Sequence, residues 1–268
     1  MVQKFIFTLI FLASIIANAQ KKYSIQHKFT YKLTYQPDST DVHTKQSEDM
    51  FLLTNEDLSI FQSKNGYIKD SLLLAIENKP AQEINMLDIS RFPKTQFHFK
   101  ILKEKSEDSI TVYDKIYTDN FQYKESNNNI KWEITSETLS INGLKCQKAT
   151  AYYAGRNYEA WFSNEIPISD GPYKFSGLPG LIIKISDLKN HYVFELIAKS
   201  DKNLSYSSLK PRRNLFITTK SIYFDRLKDY KKNIVERIAQ SGFTINDEYK
   251  EEVKQKLKKR NNPIELKN

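Results

Sequence analysis

Apolar and polar residues alternate along much of the chain, and this pattern predicts a protein built mainly of β-strands. From Lys22 to Tyr35 every second position is apolar or aromatic, with His27 as the one exception on that side. Such alternation gives a strand one buried face and one solvated face. We interpret His27 as a core residue rather than a ligand. Further strand patterns occur at 50–53, 58–61, 97–101, 110–112 and 130–134.

Two later segments predict β-hairpins. The first spans 144–162 and turns at Ala154-Gly155-Arg156-Asn157, where the glycine or the asparagine can adopt a positive φ. The second joins 181–185 to 192–197 through a polar turn that contains Asp187. Because a hairpin places its two strands side by side in opposite directions, we expect an antiparallel sheet.

Helical spacing is confined to one short segment in the first half and to the C-terminal part. The first predicted helix covers Tyr67–Ile76 and ends before Pro80. After about residue 220, apolar residues recur at helical intervals as far as Gly242, a residue type that commonly ends helices. A last helix is expected to begin at Asn246 or Asp247, with acidic residues early and basic residues late.

These elements predict a single domain over residues 20–268, because the chain shows no internal repeat and no low-complexity linker. The expected fold class is α+β and mainly β. We expect a curved antiparallel sheet, similar to a half-barrel, with a helical C-terminal part at about 220–260.

Residues 1–19 have the pattern of a cleavable signal peptide and are excluded from the fold. Lys4 precedes the apolar run Phe5–Ile16, and Ala17-Asn18-Ala19 supplies small residues before a cleavage site at Gln20. The run is shorter than the roughly 20 apolar residues that span a membrane. A lipoprotein signal needs a cysteine at the cleavage site, and the one cysteine is Cys146. We expect a periplasmic or secreted protein, not a lipoprotein, without a transmembrane segment after cleavage.

Composition narrows the classes of partner and cofactor. The net charge is +9, and export removes nucleic acid as its explanation, which leaves solubility as the simplest role for the excess charge. One cysteine cannot form an intramolecular disulfide, so 16 Tyr, 16 Phe and 2 Trp must supply the core. The four histidines show no metal-binding spacing. We therefore expect no metal and no cofactor.

The most distinctive segment concentrates glycine and proline. Of 7 glycines and 8 prolines in the chain, six lie between Pro167 and Gly180. Prolines fix φ and glycines permit conformations that other residues avoid, so the backbone of this loop is specified residue by residue. Three apolar residues in the segment, Tyr173, Phe175 and Leu178, predict that the loop packs against the sheet.

This segment contains Gly177-Leu178-Pro179-Gly180-Leu181-Ile182, and it resembles the GLPGLI family of exported proteins, found chiefly in Bacteroidota. The similarity extends to further pieces in the same order, namely Cys146–Ala149, Gly155-Arg156, Ala160–Phe162, Ile166-Pro167, Gly171-Pro172, Asp187 and Asn262–Glu265. The resemblance implies a β-rich secreted or envelope protein of unknown function, with the hexapeptide as a structural motif.

The sequence contains candidate residues for two kinds of catalytic site. A thiol enzyme would pair Cys146 with His191 and Asp187. A glycoside hydrolase would use two carboxylates, drawn from Glu159, Glu165 and Asp170. Because Cys146 lies in a predicted strand, a small buried side chain is its simpler role. A secreted hydrolase of either kind stays open as the alternative function, and no residue is assigned as catalytic.

The preferred hypothesis is a non-enzymatic envelope or secreted binding protein. Its ligand would be a peptide, a protein partner or an apolar molecule. A mixture of aromatic and charged side chains is typical of recognition sites. In the competing interpretation the aromatic residues are core and Arg156 pairs with Asp170 or Glu159. The candidate ligand-binding residues are Arg156, Trp161, Asp170, Tyr173, Lys174 and Phe175.

Overall fold

A computed structural model of the chain describes residues 22–77, 92–201, 203–207, 211, 214–236 and 246–267. The predicted signal peptide and the predicted helix limits at Pro80 and Gly242 lie outside these residues. Within them the protein is mainly β, with one large curved, unclosed sheet and a few helices. No helix in the described ranges is long and apolar enough to span a membrane.

The strands, in chain order, are β1 (Tyr23–Ile25), β2 (His27–Tyr35), β3 (Gln46–Thr54), β4 (Leu58–Ser63), β5 (Lys100–Glu104), β6 (Ser109–Ile116), β7 (Asp119–Ser126), β8 (Glu133–Ile141), β9 (Leu144–Tyr153), β10 (Arg156–Ser163), β11 (Leu181–Asp187), β12 (Tyr192–Ser200), β13 (Leu204–Tyr206) and β14 (Leu215–Ile217). The helices are α1 (Lys64–Glu77), α2 (Lys220–Lys232) and α3 (Asp247–Lys258). Short 3-10 turns cover Val42–Thr44 and Asn127–Asn129.

The large sheet has twelve strands in the order β14-β7-β6-β5-β4-β3-β2-β12-β11-β10-β9-β8. Neighbouring strands are antiparallel, except that β14 runs parallel to β7. Strand β2 joins the two halves, because it pairs with β3 on one side and with β12 on the other. The predicted fold class is confirmed.

The sheet buries side chains on both faces. The inner face carries the main core, into which the glycine-proline segment and α2 pack, and it includes Phe29, Tyr31, Leu33, Met50, Leu52, Phe61, Ile101, Val112, Phe175 and Phe194. The outer face carries a smaller core covered by the ribbon of β1 and β13, and it includes Tyr23, Ile25, Phe51, Leu53, Leu58, Ile60, Leu102, Tyr113 and Tyr206.

The single strand predicted from Lys22 to Tyr35 is two strands that interrupt at Gln26. Ile25 packs in the outer core, whereas Phe29 packs in the inner core, so the break moves the apolar side from one face of the sheet to the other. The expectation that His27 is a core residue is wrong. Its side chain is 34% exposed and its Nδ1 lies 2.7 Å from Asp201 Oδ1, because the break places it at the strand end.

Both predicted hairpins form, with turns that differ in detail from the prediction. Strands β9 and β10 are joined by two residues, Ala154 and Gly155, with φ of 47° and 89°. Asn157 lies in β10 and is not part of the turn. Two successive residues with positive φ match the twist of the flanking strands, which explains why this tight turn closes the hairpin.

Candidate functional site

The glycine-proline loop, residues 164–180, connects β10 to β11 and folds against the inner face. Its turns are closed by its own backbone, since Phe175 N donates to Pro172 O at 3.1 Å and Ile182 N donates to Asp170 O at 3.0 Å. Phe175 is fully buried and its ring lies 4.7 Å from that of Tyr158. The structure therefore shows the packed, ordered loop that the sequence predicts.

Lys103 on β5 holds one side of the loop. Its ammonium contacts the carboxylate of Asp170 and donates to Gly171 O at 2.9 Å and to Phe175 O at 3.2 Å. The Lys103 and Asp170 side chains are 5% and 4% exposed. Because an ammonium has three donors, these contacts satisfy Lys103, and the loop carbonyls are fixed to the sheet.

Lys174 holds the opposite side of the loop in a cluster of buried charges. It pairs with Glu265 at 2.5 Å and contacts Glu125, and Lys220 of α2 pairs with both carboxylates at 2.8 and 2.9 Å. Burial alone would lower the pKa of Lys174, but Glu265 and Glu125 raise it above its usual value. Burial would raise the pKa of Glu265, but Lys174 and Lys220 lower it. Lys174 and Glu265 therefore both stay ionised at neutral pH.

Arg156, the first residue of β10, is buried against the C-terminal end of the chain. Its Nη1 donates to Asp187 Oδ2 at 3.1 Å, and its Nη2 donates to Asn262 Oδ1 at 2.6 Å. The predicted pairing of Arg156 with Asp170 or Glu159 is wrong. Its carboxylate partner comes from β11, because Arg156 begins the strand next to the end of β11.

Trp161 does not share a surface with the other candidate residues. Its Nε1 donates to Glu159 Oε1 at 3.0 Å, and the ammonium of Lys148 lies 5.9 Å from its ring centre. Successive strand residues point to opposite faces, so Trp161, five positions from Arg156, faces away from it. Instead of one open patch, the structure has Arg156, Asp170, Tyr173, Lys174 and Phe175 buried and Trp161 on the opposite face.

An open cavity of about 730 Å³ lies at the rim of the glycine-proline loop. We call it the loop-rim cleft. Part of its lining, which we call the apolar wall, is apolar, and part, which we call the polar wall, consists of polar residues near the ends of β2, β3 and β5. The apolar wall includes Ile130, Trp132, Ile134, Ile168 and Leu178, and the polar wall includes Gln26, His27, Asn55, Ser59 and Lys105.

Trp132 and Ser59 are two distinctive residues of the loop-rim cleft. Trp132 Nε1 donates to Ser176 O at 2.8 Å, which attaches the apolar wall to the loop. Ser59 sits directly opposite Lys103 in the β4–β5 pairing and is 1% exposed. Ser59 borders the cleft, and its buried hydroxyl has no hydrogen-bond partner within the described part of the chain. A buried hydroxyl without a partner costs free energy, which makes Ser59 an unusual residue for this position.

The structure separates the residues of the proposed thiol site. Cys146 is buried, its thiol donates to Leu144 O at 3.6 Å, and burial raises its pKa. His191 Nδ1 lies 3.4 Å from Arg156 Nη1. Arg156 pairs with Tyr153, which lies at the opposite end of β9 from Cys146. Seven residues of strand separate Tyr153 from Cys146, roughly 20 Å. A thiol–imidazole pair does not form.

The three candidate carboxylates also lie apart. Glu159 pairs with Lys148 at 2.9 Å on the outer face. Glu165 accepts from Lys145 N at 2.7 Å at the edge of β9. Asp170 is buried against Lys103. No two of them face each other across a cleft as glycoside hydrolysis requires. Among the described residues, no group of three or more His, Cys, Asp or Glu side chains has the arrangement of a metal site.

Sequence reasoning missed the residues that complete these contacts. Lys103, Glu125 and Lys220 stand in ordinary strand and helix patterns, with nothing local to mark them. A signal did exist for Asn262 and Glu265, since both belong to the C-terminal piece that resembles the GLPGLI family.

Comparison with known proteins gives a local match to one family profile and a similarity in fold. A family profile described as a protein of unknown function, Porph_ging, matches residues 153–184, from the end of β9 into β11. The match therefore covers the glycine-proline loop and its flanking strands. No curated protein matches the chain. Nothing in these matches assigns an activity.

Solved structures of PNGF-II, in two crystal forms, are similar in fold. The TM-scores are 0.52 and 0.51 at 14% and 15% sequence identity. Each similarity covers 76% of this chain but 33% of the PNGF-II chain, so this chain corresponds to about a third of that protein. At this level of identity the similarity shows the fold alone.

Proposed function

We propose that this protein is a non-enzymatic binding protein whose ligand occupies the loop-rim cleft. The observation that carries the proposal is the cleft itself, about 730 Å³ between an apolar and a polar wall. Ligand sites commonly have volumes of about 300–1,000 Å³, with mostly apolar walls and a few convergent polar groups. A hydrolase is not favoured, because the candidate catalytic groups lie apart.

The walls indicate the chemistry of the ligand. Trp132, Ile134 and Ile168 offer an apolar surface, while the exposed side chain of Gln26 offers hydrogen bonds. A molecule with an apolar body and a polar edge satisfies both walls at once. A short peptide segment and a small apolar molecule with a polar end are the two ligands that meet this description.

In this proposal the buried candidates act by positioning the loop, and of these candidates Asp170 also borders the cleft. Asp170 and Lys174 attach the loop at two sides, so its rim is fixed before a ligand arrives. A site that is ordered in the free protein does not lose conformational entropy when it binds, which favours affinity.

The proposal includes export, on the pattern of residues 1–19 alone. Signal peptidase would cleave after Ala19 and leave Gln20 as the first residue. Mass spectrometry of the protein from the periplasmic and medium fractions of its natural host tests this. A mature protein that retains residues 1–19, or that stays in the cytoplasm, would disprove the export.

The binding proposal is tested by filling the cleft. Ser169 is exposed and lines the cleft, so Ser169→Trp adds a large ring there without removing a core contact. The probe is 1-anilinonaphthalene-8-sulfonate, which has an apolar body and a polar end. We expect the wild-type protein to bind it with a Kd in the micromolar range and Ser169→Trp to weaken binding about tenfold.

Ser140→Trp is the matched control, since Ser140 is an exposed residue of β8 outside the cleft. This variant is expected to bind the probe as the wild type does. Equal binding by Ser169→Trp and the wild type would show that the probe binds elsewhere. That result, or absence of binding to the wild type, would reject the cleft as the ligand site.

A further inference from the structure

The C-terminal segment, residues 261–267, is held in the protein as a peptide ligand is held in a groove. It follows α3 and has no regular secondary structure of its own. Asn262 and Glu265 are nevertheless 5% and 4% exposed. The groove walls come from distant parts of the chain, namely the residues after β2, the β9–β10 hairpin, the glycine-proline loop, β11 and β12, and α2.

The groove recognises the backbone of the segment at both ends and in the middle. Asn262 N donates to Pro37 O at 3.1 Å, and Leu266 N donates to Ala154 O at 2.8 Å. Between them, Arg156 Nη2 donates to Pro263 O at 2.6 Å and its Nε donates to Ile264 O at 3.0 Å. Main-chain hydrogen bonds of this kind hold extended peptides in recognition grooves.

The groove also distinguishes side chains. Asn262 accepts from Arg156 Nη2 at 2.6 Å and donates through Nδ2 to Gln36 O at 2.7 Å, which uses both halves of its amide. Ile264 packs against the main core. Glu265 accepts from Tyr173 OH and Lys174 Nζ, each at 2.5 Å. An asparagine, an aliphatic residue and a glutamate are therefore each matched by a specific partner.

The charge of the groove favours an acidic ligand. Three cations, Arg156, Lys174 and Lys220, contact the segment, and two carboxylates, Asp187 and Glu125, pair with these cations, so the walls alone carry a net charge of +1. Without the segment, Arg156 still pairs with Asp187, and Lys174 and Lys220 both still pair with Glu125. Glu265 of the segment brings the net charge to zero. The walls are thus not left with an isolated buried charge when the segment is absent, although they gain from binding a carboxylate.

We propose that this groove is a recognition site for an extended acidic peptide of the type Asn-Pro-aliphatic-Glu, which the protein fills with its own C-terminal segment. The site accepts a free peptide of this type when the attached segment is displaced. It is separate from the loop-rim cleft, so each proposal can fail without the other.

The test uses the full chain with a weakened attached segment. In the double variant Asn262→Ala with Glu265→Ala, the segment loses its specific side-chain contacts while the groove walls are unchanged. The probe is a fluorescent peptide with the sequence of residues 259–268, followed by fluorescence anisotropy. We expect the double variant to bind it at least about tenfold more tightly than the wild type, whose groove is occupied.

Two controls show whether binding has the proposed specificity. A probe peptide carrying the two substitutions equivalent to Asn262→Ala and Glu265→Ala should bind the double variant about tenfold more weakly or worse. A full chain with Glu252→Ala, an exposed position on α3, should behave as the wild type does. A folded double variant that does not bind the probe would overturn the proposal.

A second arm covers a double variant that does not fold. A specific protease site is inserted between Lys259 and Arg260 of the otherwise unchanged chain, which folds first and is then cut. We expect the cut segment to stay bound through gel filtration and to be exchanged by an excess of the fluorescent peptide. Loss of the segment without uptake of the peptide would overturn the proposal, whether or not the cut protein stays folded.

Discussion

At the scale of single residues, Asp114 stands out as a half-buried carboxylate on the inner face of β6. Tyr223 OH of α2 donates to its Oδ2 at 2.7 Å, and Lys115 N donates to its Oδ1 at 2.7 Å. Burial disfavours the charged form and raises the pKa to about 6, although both hydrogen bonds and Lys174 act in the opposite direction. The folded protein therefore binds this proton more tightly than the unfolded chain does.

This shift predicts that Asp114→Asn stabilises the protein at neutral pH. A raised pKa gives stability that is complete below about pH 4 and is lost as the pH rises through about 6. Asparagine keeps the acceptor for Tyr223 without the charge, so the variant should gain up to about 3 kcal/mol at pH 7.5. Urea unfolding at pH 4 and pH 7.5 measures this. The difference from the wild type should nearly vanish at pH 4.

Asp57→Asn is the control for this prediction, because Asp57 is exposed in the β3–β4 turn. A surface substitution away from such contacts is expected to change stability by less than about 0.5 kcal/mol at either pH. An Asp114→Asn effect of the same size at both pH values would contradict the interpretation, since titration of this carboxylate would then not be its cause.

Sequence reasoning at this scale identified individual residues but not their partners. Asp170 and Lys174 were recognisable as charged residues in a patterned loop. Lys103, the partner of Asp170, lies 67 positions from it, and Glu265, the partner of Lys174, lies 91 positions from it. Such pairs exist only after the sheet order is known, and nothing in the local pattern of Lys103 distinguishes it from a solvated strand residue.

At the scale of elements, alternation predicted most strands because the period of two is a direct consequence of burying one face. It could not predict the break at Gln26, because β1 and β2 keep the same alternation while they bury opposite sides. The residue types in the β9–β10 turn predicted a positive φ for glycine or asparagine, whereas Ala154 adopts φ of 47° beside Gly155. Alanine rarely adopts this conformation, so tertiary contacts overrode the local preference.

The glycine-proline loop gives a prediction at this scale. Gly180 lies so close to β10 that an added Cβ would be 2.2 Å from Ser163 O and 2.6 Å from Ser163 C. Both atoms belong to the backbone of a hydrogen-bonded strand, so neither can move aside at low cost. Gly180→Ala should therefore reduce the free energy of unfolding by about 3 kcal/mol or more, as measured by urea denaturation.

Gly66→Ala is the matched control for Gly180→Ala. Gly66 lies in α1, and an added Cβ would meet Ser63 Cβ at 3.6 Å, an ordinary contact. Alanine loses less backbone entropy on folding than glycine, so this variant should be neutral or more stable by up to about 1 kcal/mol. Equal losses from the two substitutions would show that the close approach at Gly180 is not what makes glycine necessary there.

At the scale of the whole molecule, the strand pairing that joins the two halves of the sheet in the described residues is that of β2 with β12. Strands β3 to β7 lie on one side of this junction and β8 to β11 on the other. Phe194 of β12 is fully buried and its ring lies 6.0 Å from that of Phe61 on β4. The inner core therefore crosses the junction, although the single-domain organisation expected from the sequence stays a prediction.

Phe194→Ala tests whether the halves unfold as one unit. Removing a buried ring from a packed core costs about 3–5 kcal/mol. Since the ring packs against both halves, the cost should appear equally in each, and hydrogen exchange should accelerate by the same factor in β3–β5 and in β9–β11. Ile197→Ala on the exposed side of β12 should leave both rates unchanged, because Ile197 is 52% exposed. Faster exchange in β9–β11 alone would mean two cooperative units, and the continuous sheet would then join two domains.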